Sequence, residues 1–291
     1  MKDNRYCGVV VWYNPDIEVI NNISTYITDL DKLYIIDNSC ERNMELVDKI
    51  IDNDKIEYIS LGGNRGLAYA LNKGCNKAID EGFDYILTMD QDSYFELNSV
   101  KLMKEFIKKS NKHYAIIAPN VKSVYIDELE NKKKIAYTVL TEGKNKELIW
   151  VMTSGSMMCI KDFVEAGKFD EKLFIAHIDI DLGIALNNLG KKIIMLSDVI
   201  IYQTFGNSKP KKILWKVVHP SFANPVRTYY LFRNQVYLLK KYGIKSYGII
   251  NVKLYKFIVK IILFEDKKIE KILMAVKGIF HGVSEKMGKY S

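Results

Sequence analysis

The sequence predicts an α/β fold in which a mostly parallel sheet is flanked by helices. Short, nearly continuous apolar runs alternate with segments whose apolar residues recur at helical spacing. Each apolar run has the length of a strand buried on both faces and ends in a polar loop, which is typical of parallel sheets. After residue 210 the pattern becomes basic and amphipathic, which predicts a C-terminal helical extension.

Four apolar runs in the first ninety residues predict the first four strands of the sheet. These runs are residues 6–13, 33–36, 56–59 and 85–89. Residues 41–52 and 67–81, which lie between runs, have apolar side chains at helical spacing and predict two helices. This alternation favours parallel strands with helices on both faces of the sheet.

The remaining elements continue the same alternation less regularly. We expect helices at 97–109 and 161–167, and a further helix that ends at Asn188 with Gly190 as its cap. We expect strands at 114–119, 192–196 and 199–202. Residues 122–147 should form a surface excursion that carries a short antiparallel pair. The expected domains are a catalytic domain over 1–210, with halves at about 1–95 and 96–210, and a helical extension over 211–291.

Composition limits the class of protein. The 291 residues are 48% hydrophobic, which is enough for a large core, and the net charge of +8 favours acidic partners. The four cysteines are scattered without a Cys-x-x-Cys pair, so a zinc or disulfide framework is not expected and a reducing cytoplasm is favoured. We expect neither a signal peptide nor a membrane span, because the sequence lacks a basic start followed by a long apolar run and has no uncharged apolar run of about 20 residues.

Two acidic pairs stand out as candidates for chemistry. Asp90 and Asp92 follow the fourth strand, and on extended backbone side chains two residues apart point the same way. Carboxylates converging beyond a strand end suit Mg²⁺ or Mn²⁺ holding phosphate oxygens, although a solvated turn fits the same pattern. Asp179 and Asp181 precede a predicted helix, where carboxylates could either cap the helix or accept a proton.

Six short motifs occur in one order along the chain. They are residues 10–15, 36–39, 63–68, 89–93, 153–156 and 177–181. Together they resemble the inverting family 2 glycosyltransferases of the GT-A fold, and most of all the bacterial rhamnosyltransferases of cell-surface polysaccharide synthesis. Residues 227–234 resemble the Arg-x-Tyr-Tyr…Arg-Asn segment of the same group, so the resemblance covers roughly residues 6–240.

The resemblance implies a site for a nucleotide-diphosphate sugar. The residues expected to contact substrates are Trp12, Tyr13, Asn14, Asp37, Asn38, Asn64, Arg65, Gly66, Asp90, Gln91, Ser154, Gly155, His177, Arg227 and Arg233. Aromatic rings offer a stacking face, and Gly66 permits close backbone approach to an anion. Core packing for Trp12, a surface ion pair for Arg65 and a structural role for His177 remain alternatives.

The resemblance also assigns the metal and the base. Asp90 and Asp92 match the Asp-x-Asp motif that binds Mg²⁺ or Mn²⁺ in this family. The family often supplies a His ligand where this chain has Gln203, so Gln203 or the later His219 would complete the site. Asp179 aligns with the base that takes the proton of the acceptor hydroxyl, with Asp181 as its support or rival.

The expected function is therefore transfer of L-rhamnose from dTDP-rhamnose to a glycan or lipid-linked glycan acceptor. Alternatives are a related enzyme that uses a UDP- or GDP-sugar, a nucleotidyltransferase, and a basic nucleic-acid or membrane module without chemistry. The last leaves the acidic pairs unexplained, so no nucleic-acid partner is expected. We expect a cytoplasmic protein, with peripheral contact on the inner face of an anionic membrane and a homodimer both left open.

Overall fold

The computed structural model describes residues 3–127, 132–139, 143–204, 211–213, 216–218, 224–248 and 254–290. The chain divides into two compact units. The first comprises Met1–Lys122, Thr138–Glu171 and Asp179–Gln203, and the second comprises Ser123–Tyr137, Lys172–Ile178 and Thr204–Ser291. His219 and the domain boundary predicted at residue 210 lie outside the described residues, so that boundary stays a prediction.

The first four strands of the sheet are parallel, as predicted. They are β1 Tyr6–Trp12, β2 Lys32–Asp37, β3 Ile56–Ser60 and β4 Tyr85–Asp90, in the order β3-β2-β1-β4. In the register, Trp12 pairs with Asp37, and Val11 pairs with Asp90. The carboxyl ends of β1, β2 and β4 therefore lie side by side at one edge of the sheet.

Helices connect these strands and cover the sheet. They are α1 Glu18–Ser24, α2 Met44–Asp48, α3 Leu67–Asp80 and, after β4, α4 Ser99–Lys109. The helix predicted over 41–52 is shorter, and it starts at Met44 because Asn43 caps it, accepting a hydrogen bond from Leu46 N–H. α3 lies close to β1, since a Cβ on Gly74 would come within 2.6 Å of Val9 Cγ2.

The other half of the sheet is mainly antiparallel, so the parallel order does not extend beyond β4. Its strands are β5 Tyr94–Phe95, β6 Ile116–Asp127, β7 Lys132–Thr138, β8 Lys146–Leu148, β9 Ser156–Cys159 and β10 Ile193–Thr204. The order continues β4-β9-β6-β10-β5, with β7 on β6 and β8 on β10. Parallel neighbours need a crossover, usually a helix, and between β6 and β9 the chain forms two strands instead.

β10 is a single strand where the sequence predicted two short ones. Its residues are buried except for Asp198, which is exposed, and Tyr202 and Thr204, which are half-buried. Two helices complete this part of the chain, α5 Ile160–Glu165 and α6 Ile178–Asn188. α6 begins at Ile178 and ends before Gly190, whose positive φ of 71° confirms the predicted cap.

The second unit is mostly helical after residue 224, as predicted. A short antiparallel pair, β11 Lys211–Ile213 and β12 Lys216–Val218, is followed by α7 Pro225–Gly248, α8 Leu254–Phe264 and α9 Lys268–Val283. α7 is interrupted at Gly243, where φ is 73°. Within the described part of the chain, no helix combines the length and the hydropathy that a membrane crossing requires.

Candidate active site

Gln91 joins the ends of β1 and β4. Its Oε1 accepts a hydrogen bond from Tyr13 N–H at 2.7 Å, and its Nε2 donates to the Tyr13 carbonyl at 3.2 Å. Asn22 Nδ2 donates to the Gln91 carbonyl at 2.8 Å. The amide of Gln91, expected to contact substrate, is therefore engaged with backbone and fixes the turn after β4.

A second network ties the end of β2 to the loop before α3. Asn38 Oδ1 accepts from Arg65 N–H at 2.7 Å, and Asn38 Nδ2 donates to Asn64 Oδ1 at 3.3 Å. Asn64 Oδ1 also accepts from Gly66 N–H, where φ is 95°. These contacts leave the Arg65 side chain exposed at a helix start without a side-chain cap, where N–H groups can meet an anion.

Trp12 and Asp37 are more enclosed than the sequence suggested. Trp12 is 0% exposed, so it packs in the core instead of stacking on a base, because its strand is central and covered on both faces. Asp37 is also 0% exposed, and its carboxylate accepts from Ser39 N–H and the Tyr58 hydroxyl. Tyr13, which is 47% exposed, is the aromatic ring at this edge that can reach a ligand.

The backbone between Asp90 and Asp92 differs from the extended conformation that was predicted. β4 ends at Asp90, and a turn follows in which Ser93 N–H donates to the Asp90 carbonyl at 3.3 Å. The side-chain alternation of extended backbone therefore does not reach Asp92. The turn nevertheless keeps both carboxylates at the end of β4, where Asp92 is exposed.

Residues just before β9 and near the end of β10 supply polar partners to Asp90. Gln203 Nε2, near the end of β10, donates to Asp90 Oδ2 at 2.9 Å. Ser154 Oγ, just before β9, accepts from Asp90 N–H at 3.1 Å. Gly155 follows at a φ of 78°, and its N–H donates to the Thr88 carbonyl at 2.7 Å. The expected residues Asp90, Ser154 and Gln203 are thus brought together.

The Gln203 side chain indicates whether the residues at the end of β4 fit a metal ion. Gln203 is buried, and its Oε1 has no hydrogen-bond partner within the described part of the chain. A buried carbonyl oxygen without a partner is uncommon in folded proteins. Amide and carboxylate oxygens, such as Gln203 Oε1 and the Asp90 carboxylate to which Gln203 Nε2 donates, are the kind of ligand that suits Mg²⁺ or Mn²⁺.

Another cluster of ligand-type side chains lies elsewhere. Among the described residues, His113, Cys159 and Asp162 form the group of such side chains close enough to share an ion. Lys191 Nζ, however, lies 2.8 Å from Asp162 Oδ1 and neutralises it. Burial acts to raise the pKa of the Asp162 carboxyl, but Lys191 and His113 outweigh it, and the pKa is lowered.

The position of that cluster separates it from Asp90. Cys159 pairs with Tyr85, the first residue of β4, whereas Asp90 is the last. Five strand residues span about 16 Å. Two surface clefts also lie towards the amino ends of the strands, one beside Tyr85 and one beside Tyr6. Neither the cluster nor these clefts coincides with the predicted site.

Asp179 has the properties of a proton acceptor. It lies in the first turn of α6 and is half-buried, and its Oδ1 accepts from Ile180 N–H at 2.9 Å. Desolvation raises the pKa of its carboxyl to about 6, against the opposing effect of backbone hydrogen bonds. A carboxylate with a pKa near the working pH is well matched to general-base catalysis.

Asp181 occupies a different side of the helix. Residues two apart on a helix project about 200° apart, so the two aspartates do not share a direction. Asp181 is buried, with 2% of its surface exposed. α6 itself packs on the segment before β9, since Asn187 Nδ2 donates to the Ile149 carbonyl at 2.7 Å. That segment continues to Ser154, five residues later, which contacts Asp90.

In the second unit, the chain before α6 has a strained backbone. Phe174, Ala176 and His177 all have φ between 62° and 68°, an uncommon conformation for residues other than glycine. His177 is buried and its Nδ1 has no partner in the described part of the chain. Burial lowers the pKa of its imidazole to about 4, so it is neutral at physiological pH.

Arg233 and Asn234 stabilise this strained segment from α7. Asn234 Nδ2 donates to the carbonyls of Leu173, Ile175 and Ala176 at 2.8–2.9 Å. Arg233 is 0% exposed, and its Nη2 donates to the Leu173 carbonyl at 2.9 Å. This corrects the expected substrate contact of Arg233, because the guanidinium is used inside the unit. Asn234 belongs to the 227–234 motif but is not among the predicted site residues.

Arg227 differs from Arg233 in its surroundings. It is exposed in the first turn of α7, and its N–H donates to Asn224 Oδ1 at 2.7 Å, which caps the helix. Its expected role in substrate binding stays a prediction. Ser39 was not predicted individually, yet its Oγ accepts from Asn14 N–H at 2.8 Å and links the ends of β1 and β2.

Comparison with known sequences gives a family match. Residues 18–167 match the family described as Glycosyl transferase family 2. The chain is 30% identical to the dTDP-rhamnosyl transferase RfbF of Shigella flexneri, over 83% of this chain and 81% of that protein. It is 24% identical to the low-salt glycan biosynthesis hexosyltransferase Agl10 of Haloferax volcanii, over 97% and 92% of the two chains.

Solved structures resemble this chain in fold. TarS residues 1–349 of S. aureus, in complex with UDP-GlcNAc, superpose with a TM-score of 0.61 at 14% identity, over 97% of this chain and 82% of that one. GalNAc-T7 with UDP, GalNAc and Mn²⁺ superposes with a TM-score of 0.56 at 13% identity. The match covers 81% of this chain and about half, 48%, of the GalNAc-T7 chain. These similarities identify a GT-A fold.

Proposed function

Because the chain belongs to glycosyl transferase family 2, we propose that it is an inverting enzyme that transfers L-rhamnose from dTDP-rhamnose to a hydroxyl group of a glycan acceptor. The similarity to a dTDP-rhamnosyl transferase along most of both chains supports this donor. The acceptor in this proposal is a lipid-linked glycan or a growing cell-surface polysaccharide. The observation that carries the proposal is the contact of Asp90 with Gln203 and Ser154 at the carboxyl end of β4.

The donor lies along the carboxyl ends of β1, β2 and β4 in this proposal. The exposed ring of Tyr13 stacks on the base, and the exposed Arg65 guanidinium meets a phosphate. Backbone N–H groups at the start of α3 add donors to the diphosphate. Asn14, Asn38 and Asn64 shape this edge through the hydrogen bonds that hold their loops together.

Asp92, Asp90 and the Gln203 amide oxygen would hold the divalent cation in this proposal. When bound, Mg²⁺ or Mn²⁺ would neutralise negative charge on the diphosphate that leaves the sugar. The role of Gln203 Nε2 is to orient the Asp90 carboxylate, to which it donates a hydrogen bond. His219 is the alternative ligand and lies outside the described residues.

Asp179 is the general base of the proposed reaction. Its carboxylate takes the proton of the acceptor hydroxyl while the hydroxyl oxygen attacks the anomeric carbon, and the bond to the diphosphate breaks on the opposite face. The raised pKa of its carboxyl, about 6, supports this role because the group is ionised yet basic at neutral pH. Asp181, buried in the same helix turn, supports that turn.

The alternative donor is a UDP- or GDP-sugar. It is favoured by the fold of TarS, whose structure contains UDP-GlcNAc, and by the similarity to a hexosyltransferase. Family membership argues against the nucleotidyltransferase alternative. A lipid-linked acceptor would place the reacting hydroxyl at a bilayer. In this proposal the enzyme therefore catalyses sugar transfer at the inner face of the cell membrane.

Thermal shift measurements would test the donor. The purified chain is heated with dTDP-, UDP- and GDP-sugars in the presence of Mg²⁺ or Mn²⁺, because a ligand that binds only the folded state raises its melting temperature. We expect dTDP-rhamnose to raise the melting temperature most, and to be hydrolysed or transferred. A larger shift with a UDP- or GDP-sugar would overturn the rhamnose assignment, and pyrophosphate release from a nucleoside triphosphate would overturn the reaction class.

A further inference from the structure

One face of α9 exposes large apolar side chains. Ile269, Leu273, Val276, Phe280 and Val283 are between 59% and 77% exposed. They are spaced four, three, four and three residues apart, which places them in one stripe along the helix. We call these five residues the α9 stripe. Contiguous apolar surface of this kind is rare on proteins that have no partner for it.

The opposite face of α9 contains small residues, and it is the buried one. Ala275, Gly278 and Gly282 are buried. A Cβ on Gly278 would lie 2.5 Å from the Tyr229 carbonyl oxygen, and a Cβ on Gly282 would lie 2.6 Å from the Arg233 carbonyl oxygen. This close contact with α7 fixes the rotation of α9. The helix therefore faces its small residues inward and its large apolar residues outward.

The charge of the surrounding segment selects one kind of partner. Residues 211–291 contain 17 Lys and Arg but only 4 Asp and Glu. The preceding 210 residues contain 26 Lys and Arg and 31 Asp and Glu. Three of those four acids are already paired. Glu265 and Asp266 contact Lys271, and Glu285 contacts Lys240. Two copies of such a basic surface would repel each other, but anionic lipid headgroups would attract it.

α8, in the same unit, also combines exposed apolar side chains with lysines. Val259, Ile262 and Leu263 are between 48% and 58% exposed. Lys256 and Lys260 lie on the same helix. A helix with apolar side chains exposed and lysines nearby is typical of helices that lie in the plane of a bilayer interface.

We propose that the α9 stripe docks this protein on the surface of an anionic lipid bilayer. α9 lies in the membrane plane, its apolar side chains enter the acyl boundary, and the lysines of the unit meet the headgroups. The α9 stripe shares no residue with the proposed donor site. The proposal therefore holds or fails independently of the sugar that is transferred.

Vesicle co-sedimentation of the full chain would test this proposal. Vesicles of phosphatidylcholine alone are compared with vesicles that also contain phosphatidylglycerol, and the variant is Leu273→Ser with Phe280→Ser, which keeps the charge unchanged. We expect the wild type to sediment with the anionic vesicles, and the variant to bind them about tenfold or more weakly. The matched control is Leu97→Ser, at an apolar position 85% exposed in the other unit, and it should bind like the wild type.

Light scattering of the same proteins separates lipid docking from self-association. A dimer that Leu273→Ser with Phe280→Ser converts to a monomer, without lipid binding by the wild type, would assign the stripe to a second copy and overturn the proposal. Equal sedimentation of the wild type and the variant would also overturn it. Retained donor-induced thermal shift in the variant would verify that its fold is intact.

Discussion

Gln203 Nε2 donates a hydrogen bond of 2.9 Å to Asp90 Oδ2 and so joins the end of β10 to the end of β4. The other atom of the same amide, Oε1, has no partner in the described part of the chain. One amide can therefore orient the carboxylate and offer a ligand oxygen to a cation. A glutamine could therefore take both roles at a position where the similar family often has a histidine ligand.

Removing the Gln203 amide should weaken metal binding. Gln203→Leu keeps a similar volume but loses both the donor to Asp90 and the free oxygen. Changes to groups that orient or support metal ligands typically cost 10–100-fold in affinity, so we expect a loss of about that size for Mn²⁺. Calorimetric titration of Mn²⁺ into the protein with dTDP present measures it without turnover.

Asn111→Leu is the control for this change, because Asn111 is an exposed amide outside the site. It should leave the Mn²⁺ affinity unchanged. If Gln203→Leu also binds Mn²⁺ as the wild type does, Gln203 is not part of the metal site and His219 becomes the candidate.

The second prediction concerns the pH dependence of turnover. Asp179 must be ionised to accept a proton, and desolvation raises the pKa of its carboxyl to about 6. kcat/KM should therefore rise with pH through about 6 and level off above it. Asp179→Asn should lower kcat by about 10²–10⁴-fold and remove this acidic limb, while dTDP-sugar binding survives. Unchanged turnover in the variant would exclude Asp179 from the mechanism.

Stability gives an independent check on the same carboxyl. Because the folded-state pKa is above the unfolded value, ionising Asp179 destabilises the fold above about pH 6, and the effect disappears below the unfolded pKa near 4. Asp179→Asn should raise the melting temperature at pH 8 and leave it unchanged at pH 3.5. A variant equally stabilised at both pH values would indicate a cause other than this titration.

The sequence predicted the first half of the fold well because local pattern determines it. β1, β2 and β4 are mostly buried, β3 is half-buried at the edge of the sheet, and helices separate them. The apolar runs therefore identified these strands and their common carboxyl edge. Beyond β4 the pairing depends on long-range contacts, such as β9 lying antiparallel to β4, which periodicity does not encode. The single long β10 was divided in the prediction because Ser197 and Asp198 interrupt its apolar run.

A motif in the sequence was enough to propose roles for Asp90, Asp92 and Asp179, and these roles stay predictions. What each side chain touches was not predictable. Trp12 and Arg233 are residue types common in ligand sites, and their burial follows only from the tertiary positions of β1 and α7. The motif likewise predicts that Gln91 contacts substrate. Its side chain is instead hydrogen-bonded to backbone atoms of Tyr13, 78 residues away in the chain.

Asn234 gives a third prediction, about the backbone that leads to Asp179. Asn234→Leu removes the amide that donates to the carbonyls of Leu173, Ile175 and Ala176, which should cost about 1–3 kcal/mol of unfolding free energy. The Leu173 carbonyl still accepts from Arg233 Nη2 in this variant. Ala176 is three residues before Asp179, so we expect kcat to fall while KM for the donor changes little. Urea unfolding and steady-state kinetics measure the two effects.

Ile261→Val separates positioning from general loss of stability. Ile261 is 3% exposed in α8, and this substitution should cost about 0.5–1.5 kcal/mol. kcat should stay at the wild-type value in this control. Should Asn234→Leu lose stability but keep its kcat, Asn234 has only a structural role.

The last prediction concerns Gly155, beside the serine that contacts Asp90. Its φ of 78° is strained for any other residue, and an added Cβ would lie 2.6 Å from Ile201 Cδ1 and 2.8 Å from Pro119 Cγ. The Ile201 side chain can move, but the proline ring is rigid. Gly155→Ala should therefore combine a left-handed backbone cost of about 1–2 kcal/mol with an overpacking cost of about 1–3 kcal/mol.

Gly82 provides the matched comparison for Gly155. Its φ is 70°, and an added Cβ there meets nothing within 4 Å, so Gly82→Ala should cost only the backbone contribution. Urea unfolding should thus rank Gly155→Ala as the more destabilised variant. Because Ser154 Oγ accepts from Asp90 N–H, Gly155→Ala should also weaken Mn²⁺ binding in the presence of dTDP, whereas Gly82→Ala should not. Equal losses of stability in the two variants, with unchanged Mn²⁺ affinity, would show that close packing at Gly155 does not shape the metal site.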